Sequence, residues 1–445
     1  MTWYAARGLS ACCVSVVGLT GGAAWGSSPF DLVDDLPAVG SAWESPLAAG
    51  GVGAAPFDLG QTFLLHSRPS ATKTIYLDFD GHTTTGTSWN TTYNSGDPII
   101  TPAYDPSNDD ASIGFTHFTD TELERIQQVW QRVSEDFSPF DVNVTTQAPA
   151  SADLRKSGSG DTRWGVRAVI GNNTFYSSAG GVAYVGSFDW SSDTPVFVFE
   201  NGLANGNEKY TAEAASHEVG HSLGLHHDGR NSPDEEYYSG HGSGDNGWAP
   251  IMGASYYRNL TQWSEGEYTS ASQHQDDLAV ITSGSGNGFG YRPDDHGDTT
   301  LSATTLTVTA GTVLAEGVIT TRTDRDMFSF VHGGGLLDLL VTPFERGPNL
   351  DVLIELLDAA GDVILSSNRS EELYADIQGI FAAGLYFLRV DGVGYGSPLS
   401  TGYSDYGSLG QYTLSGIVGI PEPASLGLLI LGLGGLAARR RASGG

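Results

Sequence analysis

"ASHEVGHSLGLHHDG", Ala215 to Gly229, holds four histidines, and their spacing decides how the chain around them must run. His217 and His221 stand four residues apart. On a helix such positions are about 40° apart in rotation and one turn apart in height, so both imidazoles point the same way and can hold one metal ion. Glu218 lies beside them, displaced from the ligand set, where a general base for an activated water belongs. His227 follows six residues after His221. Continued helix would carry it about 9 Å further along the axis, out of reach of the same ion. The helix must therefore break, and Gly224 permits the break because a left-handed turn costs glycine little. Folding back would present His227 as a third ligand and leave a fourth position for water, the arrangement of a catalytic zinc ion. His226 does not fit the spacing and reads as a packing or exposed histidine. The isolated His82, His117, His241, His274, His296 and His332 read the same way.

Upstream, strand and helix patterns alternate from Thr72. "KTIYLDFDG" reads as a strand. "TDTELERIQQVWQRVSEDF" places Leu123, Ile126, Val129, Trp130, Val133 and Phe137 at helical spacing, with Thr119 or Asp120 as its cap. "DVNVTT", "VRAVIG", "GGVAYVGSF" and "TPVFVFE" read as strands, and "TAEAASHEVGHSLGL" as a helix capped by Thr211. This order predicts an α+β domain: a mixed twisted sheet with helices packed on it, one of them carrying the histidines. Asp78 and Asp80 share one strand face, a candidate Ca2+ pair set against a plain solvated strand end. Beyond a Gly- and Asp-rich junction at Gly284 to Asp298, short strands recur at regular spacing, which predicts an all-β sandwich over residues 298–418.

The chain is long enough, at 445 residues, for two or three domains, and its formal charge of -31 argues against nucleic acid or anionic membrane surfaces as partners. Cys12 and Cys13 are its two cysteines. Both lie in residues 1–26, "MTWYAARGLSACCVSVVGLTGGAAWG", which reads as a secretory signal peptide with cleavage after Ala24. The exported chain would then have no disulfide, no thiolate ligand and no thiol to mask a metal. Residues 27–70, rich in Ala, Gly, Ser and Pro, read as a linker or pro-segment. At the other end, the apolar run from Ala424 to Ala438 is short for a membrane span and is followed at once by Arg439, Arg440 and Arg441.

Three resemblances attach to these motifs. HEVGHSLGLHH resembles the signature of the metzincin zinc endopeptidases, and the Asp228 that follows is similar to the adamalysin/reprolysin branch. The resemblance covers residues 72–283, within a domain drawn at 71–290. It implies one Zn2+ held by His217, His221 and His227, with Glu218 as base. It also implies a Met-turn, supplied by "GWAPIMGASYY", in which Met252 forms an apolar floor beneath the ligands. Reprolysins often carry Cys-Ile-Met there; this chain has Pro250-Ile251-Met252. The same family lines its cleft with an antiparallel edge strand that pairs with substrate backbone, here Gly181, Val182, Ala183 and Tyr184. Tyr256 and Tyr257 stand as candidates for a transition-state hydrogen bond, or as wall or core aromatics. "DRDMFSFV", "NLDVLIELLDAAGDVIL" and "AAGLYFLRVDG" resemble the bacterial pre-peptidase C-terminal domain, which implies a non-catalytic accessory module. Residues 420–445, containing "PEPASLGLLILGLGGLAARRRASGG", resemble the PEP-CTERM sorting signal. That implies transient membrane anchoring, processing by an exosortase-type enzyme, and delivery to the cell surface or extracellular matrix of a Gram-negative bacterium. The combined expectation is an exported or surface-sorted zinc endopeptidase acting on protein or peptide substrates. The alternative is a non-catalytic surface or biofilm-matrix binding protein that retains the peptidase scaffold.

Overall fold

In the computed structural model, which describes residues 33–39, 55–107 and 117–420, the first half of the chain is built on one mixed sheet. Its elements are β1 (Val33–Leu36), β2 (Lys73–Asp78), β3 (His82–Thr84), α1 (Ser88–Tyr93), β4 (Ile99–Thr101), α2 (Asp120–Asp136), β5 (Asn143–Thr145), β6 (Trp164–Gly171), β7 (Gly181–Tyr184), β8 (Val196–Phe199), α3 (Glu208–Ser222), β9 (Arg230–Asn231), β10 (Asp234–Glu235), β11 (Trp248–Pro250), β12 (Leu260–Gln262) and α4 (Asp277–Ile281). The sheet runs in the order β1-β7-β8-β6-β2-β5. β2 is parallel to β5 and β6, and β6 to β8; β7 runs against β8, and β1 against β7. Strands covered on both faces carry apolar side chains in near-continuous runs, as Ile75 to Leu77 and Val196 to Phe199 do here, all buried.

Helix α2 starts on a reciprocal cap: the Thr119 hydroxyl accepts the Glu122 N–H while the Glu122 carboxylate accepts the Thr119 N–H. Helix α3 starts earlier than the expected Thr211. Asn207 caps it instead, its Oδ1 accepting the N–H groups of Lys209 and Tyr210, both at 3.1 Å, and Thr211 is buried inside the helix. Part of the stretch expected as linker or pro-segment is built into the fold: the Leu59–Leu64 turn lies on α2, with Gln127 Nε2 donating to Thr62 Oγ1 at 2.8 Å. The calcium expectation at Asp78 and Asp80 gains no support. Asp78 is buried and accepts from Arg167 Nη1 at 2.5 Å, so a guanidinium already answers that carboxylate.

The second half is all β: β13 (Thr304–Thr305), β14 (Thr312–Ile319), β15 (Asp326–His332), β16 (Gly335–Pro343), β17 (Val352–Leu357), β18 (Val363–Ser367), β19 (Ala375–Phe381), β20 (Gly384–Gly392) and β21 (Gly410–Ile417). They form a five-stranded sheet, β13-β15-β20-β17-β18, and a four-stranded sheet, β14-β21-β16-β19. Phe328, Phe330, Ile354, Leu356 and Leu388 of the first are buried in one apolar cluster with Leu337, Leu339, Val341, Ile377 and Leu414 of the second. That cluster continues into the first half through Trp263, Phe137 and Leu278. Polar contacts cross the same junction. Asn349 Nδ2 donates to Asp136 Oδ1 at 2.9 Å, Leu278 N–H donates to Tyr406 Oη at 2.9 Å, and Glu135 accepts from the N–H and Nε2 of Gln411 at 3.0 and 2.8 Å.

The expected signal peptide over residues 1–26, residues 27–32 and 40–54 of the expected linker, and the sorting signal from Pro421 onward lie outside the described residues. Among the described residues no helix is long and apolar enough to cross a membrane.

Burial pushes the Glu135 carboxyl from its ordinary 4.5 up to about 8, in spite of the two bonds from Gln411. The folded chain therefore holds this proton more tightly than the unfolded chain, and stability falls as pH rises from about 4.5 to about 8. Glu135→Gln should remove that part of the slope, read as a smaller drop in the urea midpoint between the two ends of the window.

Candidate metal centre

Helix α3 ends in a turn that aims the third histidine. The Leu225 N–H donates to the Gly220 carbonyl at 3.1 Å and the Gly224 N–H to the His221 carbonyl at 2.8 Å, with Gly224 at φ +105°. These paired bonds close the helix through a left-handed residue and turn the chain back. His227 then faces the other two: its ring centre lies 5.4 Å from that of His217 and 4.8 Å from that of His221. One ring nitrogen from each of the three falls within 4.8 Å of the others. His226 stays outside this group, its N–H donating to Gln275 Oε1 at 3.0 Å.

The outer nitrogens fix which way the inner ones point. His217 Nδ1 lies 2.9 Å from the Ile251 carbonyl and His221 Nδ1 lies 2.8 Å from the Leu225 carbonyl. A carbonyl can only accept, so each Nδ1 carries the proton and each Nε2 offers a lone pair. The two Nε2 atoms are 3.0 Å apart, close to the roughly 3.3 Å that two ligands of one tetrahedral zinc ion would show. Burial, with the neighbouring His227 adding to it, lowers the His217 pKa to about 3 and keeps the ring in its neutral, ligating form. Three convergent imidazoles fit zinc.

Two glycines admit the groups around this trio. A Cβ on Gly181 would lie 2.5 Å from Glu218 Oε1, so the carboxylate rests against β7 where a side chain would exclude it. A Cβ on Gly220 would lie 2.5 Å from Met252 Sδ, so the fully buried Met252 reaches α3 one residue before His221. The Asp228 N–H donates to the Met252 carbonyl at 2.8 Å, which ties the turn bearing His227 to the turn bearing Met252.

The expected tyrosines take different places. Tyr256 is buried, packed edge-on to Tyr210 at 5.3 Å, with its hydroxyl 3.3 Å from the Pro37 carbonyl. Tyr257 is exposed, its ring edge-on to Tyr210 at 5.9 Å. The tyrosine closest to the histidines escaped the sequence reading: Tyr237, whose ring centre lies 4.4 Å from that of His227 and whose hydroxyl donates to the Asp35 carbonyl. Its signal was weak, a position in "DEEYYSGHG" on the return path from His227 to the Met252 turn. The expected substrate strand, Gly181, Val182, Ala183 and Tyr184, is β7, buried throughout. Its outer side is not open, because β1 pairs with it; an unpaired row of backbone groups accepts any extended segment that can reach it. His241 is a strut, bonded to Tyr238 Oη and to the Gly402 carbonyl, each at 2.6 Å. Among the described residues two further groups have ligand atoms as close as those of the trio: Asp295 with His296 and Asp326, and Asp294 with Asp324 and Asp326.

Comparison with known proteins bears on this geometry. Residues 115–264 match Reprolysin_5, metallo-peptidase family M12, a zinc-dependent family, and all three histidines, Glu218 and Met252 fall within that span. No curated protein matches the chain. Solved structures with some likeness include the pre-peptidase C-terminal domain of a collagenase from Bacillus anthracis, at 15% identity, covering 28% of this chain and 95% of that one, with a TM-score of 0.19. Others are the g-type lysozyme inhibitor PliG of Aeromonas hydrophila, at 16% identity, 26% and 96% coverage and TM-score 0.18, and the Yersinia pseudotuberculosis-derived mitogen, at 14%, 26% and 92%, and 0.17. TM-scores this low decide nothing about fold or activity.

The purified chain should bind one equivalent of zinc, and His221→Ala should abolish it. Gly220→Ala retains every ligand but drives a methyl group against Met252. It should weaken zinc binding by about 10–100-fold, the range for lost support around a ligand, in a chelator competition.

Proposed function

We propose that this chain is an exported, zinc-dependent endopeptidase of metzincin type that hydrolyses peptide bonds with Glu218 as general base. The observation that carries this reading is the convergence of His217, His221 and His227, with Glu218 resting on Gly181 of β7. A peptide extended along β7 would pass directly over these groups. Zinc held by His217, His221 and His227 would acidify a water and polarise the scissile carbonyl. Glu218 would take a proton from the attacking water and deliver it to the leaving amine. Tyr237, whose hydroxyl already donates to a peptide carbonyl at Asp35, donates to the substrate carbonyl as charge develops on its oxygen. The backbone carbonyls of Ile251 and Leu225 hold the ligand rings in place throughout.

The leader-like N-terminus and the PEP-CTERM-like C-terminus support export, exosortase-type processing with transient anchoring, and residence at the surface or in the matrix of a Gram-negative bacterium. Protein or peptide substrates would be met there, with the sandwich as an accessory module.

Glu218→Ala should lower peptide hydrolysis by about 10²–10⁴-fold, the range of general-base catalysis, with the zinc content retained. Tyr237→Phe should lower kcat by about 10²-fold with little change in KM, as for a donor used mainly in the transition state. Mass-spectrometric mapping of casein peptides measures both. Equal cleavage by wild type and Glu218→Ala would sink the mechanism and leave the surface-binding alternative.

A further inference from the structure

The strand that would receive substrate is already paired. Val33 to Leu36 lie opposite Tyr184 to Gly181 in antiparallel register. Bonds continue past the Leu36 end of that ladder: the Gly180 N–H donates to the Leu36 carbonyl at 2.6 Å, and the Val39 N–H to the Gly202 carbonyl at 2.6 Å. Leu36 and Val39 are buried in the main apolar cluster. The Asp35 carboxylate sits in a clasp of two tyrosines, 3.2 Å from Tyr176 Oη and 3.3 Å from Tyr237 Oη.

The register brings this segment to the reacting groups. Asp35 faces Val182 and Leu36 faces Gly181, the residue on which Glu218 rests. The Asp35 carbonyl accepts the hydroxyl of Tyr237, whose ring packs on His227. The peptide between Asp35 and Leu36 thus lies beside Tyr237 and opposite the strand residue on which Glu218 rests. We propose that Val33–Val39 is a built-in occupant of the substrate strand, masking the metal centre from protein substrates until it leaves β7. This rests on the peptidase reading. With no cysteine in the chain beyond Cys13, masking falls to backbone pairing and the buried Leu36 rather than to a thiol. Cleavage of the leader after Ala24, as expected, would leave the segment on the exported chain.

The test uses the full-length zinc-loaded chain and two variants, Leu36→Glu and the milder Leu36→Ala, each checked for folding by circular dichroism. Hydrogen exchange at Gly181–Tyr184 reads the pairing, and hydrolysis of a short fluorogenic peptide reads the masking. Both variants should exchange faster at β7 than wild type. If about nine chains in ten are closed, kcat/KM should rise about ten-fold in Leu36→Glu. Unchanged β7 exchange in folded Leu36→Glu overturns the proposal, as does faster exchange with unchanged kcat/KM in a chain that is active. Faster exchange in a chain that cuts no peptide at all supports the strand occupancy and refutes the peptidase reading instead.

Discussion

The last carbonyls of α3 must find donors, and the way Gly220 and His221 find them governs the whole centre. They accept the N–H groups of Leu225 and Gly224, which forces Gly224 into the left-handed region at φ +105°. Any other L-residue there would cost roughly 1–2 kcal/mol. The turn fixes the Leu225 carbonyl, which holds the outer nitrogen of His221. It sends the chain back, so that His227 meets the other rings. It also brings the Asp228 N–H to the Met252 carbonyl, and the neighbouring Ile251 carbonyl holds His217. Three ligands and their supports therefore depend on one helix end.

Packing around α3 follows from small residues rather than from an apolar stripe. From Tyr210 to Ser222 every residue is buried. Ala212, Ala214, Ala215 and Gly220 leave room for neighbours on several sides, with Met252 pressed against the last of them. A helix covered all round needs polar partners as well: Ser216 donates to Asp136 Oδ2 at 2.5 Å and Ser255 to Glu213 Oε2 at 2.6 Å. The same burial withholds water from His217 and keeps it uncharged, the form in which it can ligate.

Much of this was legible in the residues because it is local. Two histidines one turn apart, a glycine that permits a break, and helical spacing in "TELERIQQVWQRVSEDF" are statements about neighbours in sequence. What was not legible depends on distant parts of the chain. Asn207 outcompetes Thr211 as a cap because Thr211 is taken into the core. Tyr237 stands near His227 only because β9 and β10 form a small hairpin that returns the chain. β1 spans four residues, too few to show a period, and its partner lies far along the chain. The Asp78 carboxylate looked available to a cation in the sequence, and only the sheet reveals Arg167 beside it. Both strand-rich halves were expected; the tight junction between them was not, since glutamine, asparagine and tyrosine contacts leave no pattern in either half.

That junction bears on cooperativity. Gly407 and Gly410 press so close to Gln262 and Glu135 that an added Cβ would come within 2.6 and 2.3 Å of them. The buried apolar cluster runs through both halves without a break. A chain cut short before the sandwich would present α2 and the Trp263 region to water as raw apolar surface, and the intact chain should melt in a single transition rather than two. The sandwich is then less a tethered appendage than a support for α2, against which the histidine-bearing helix packs.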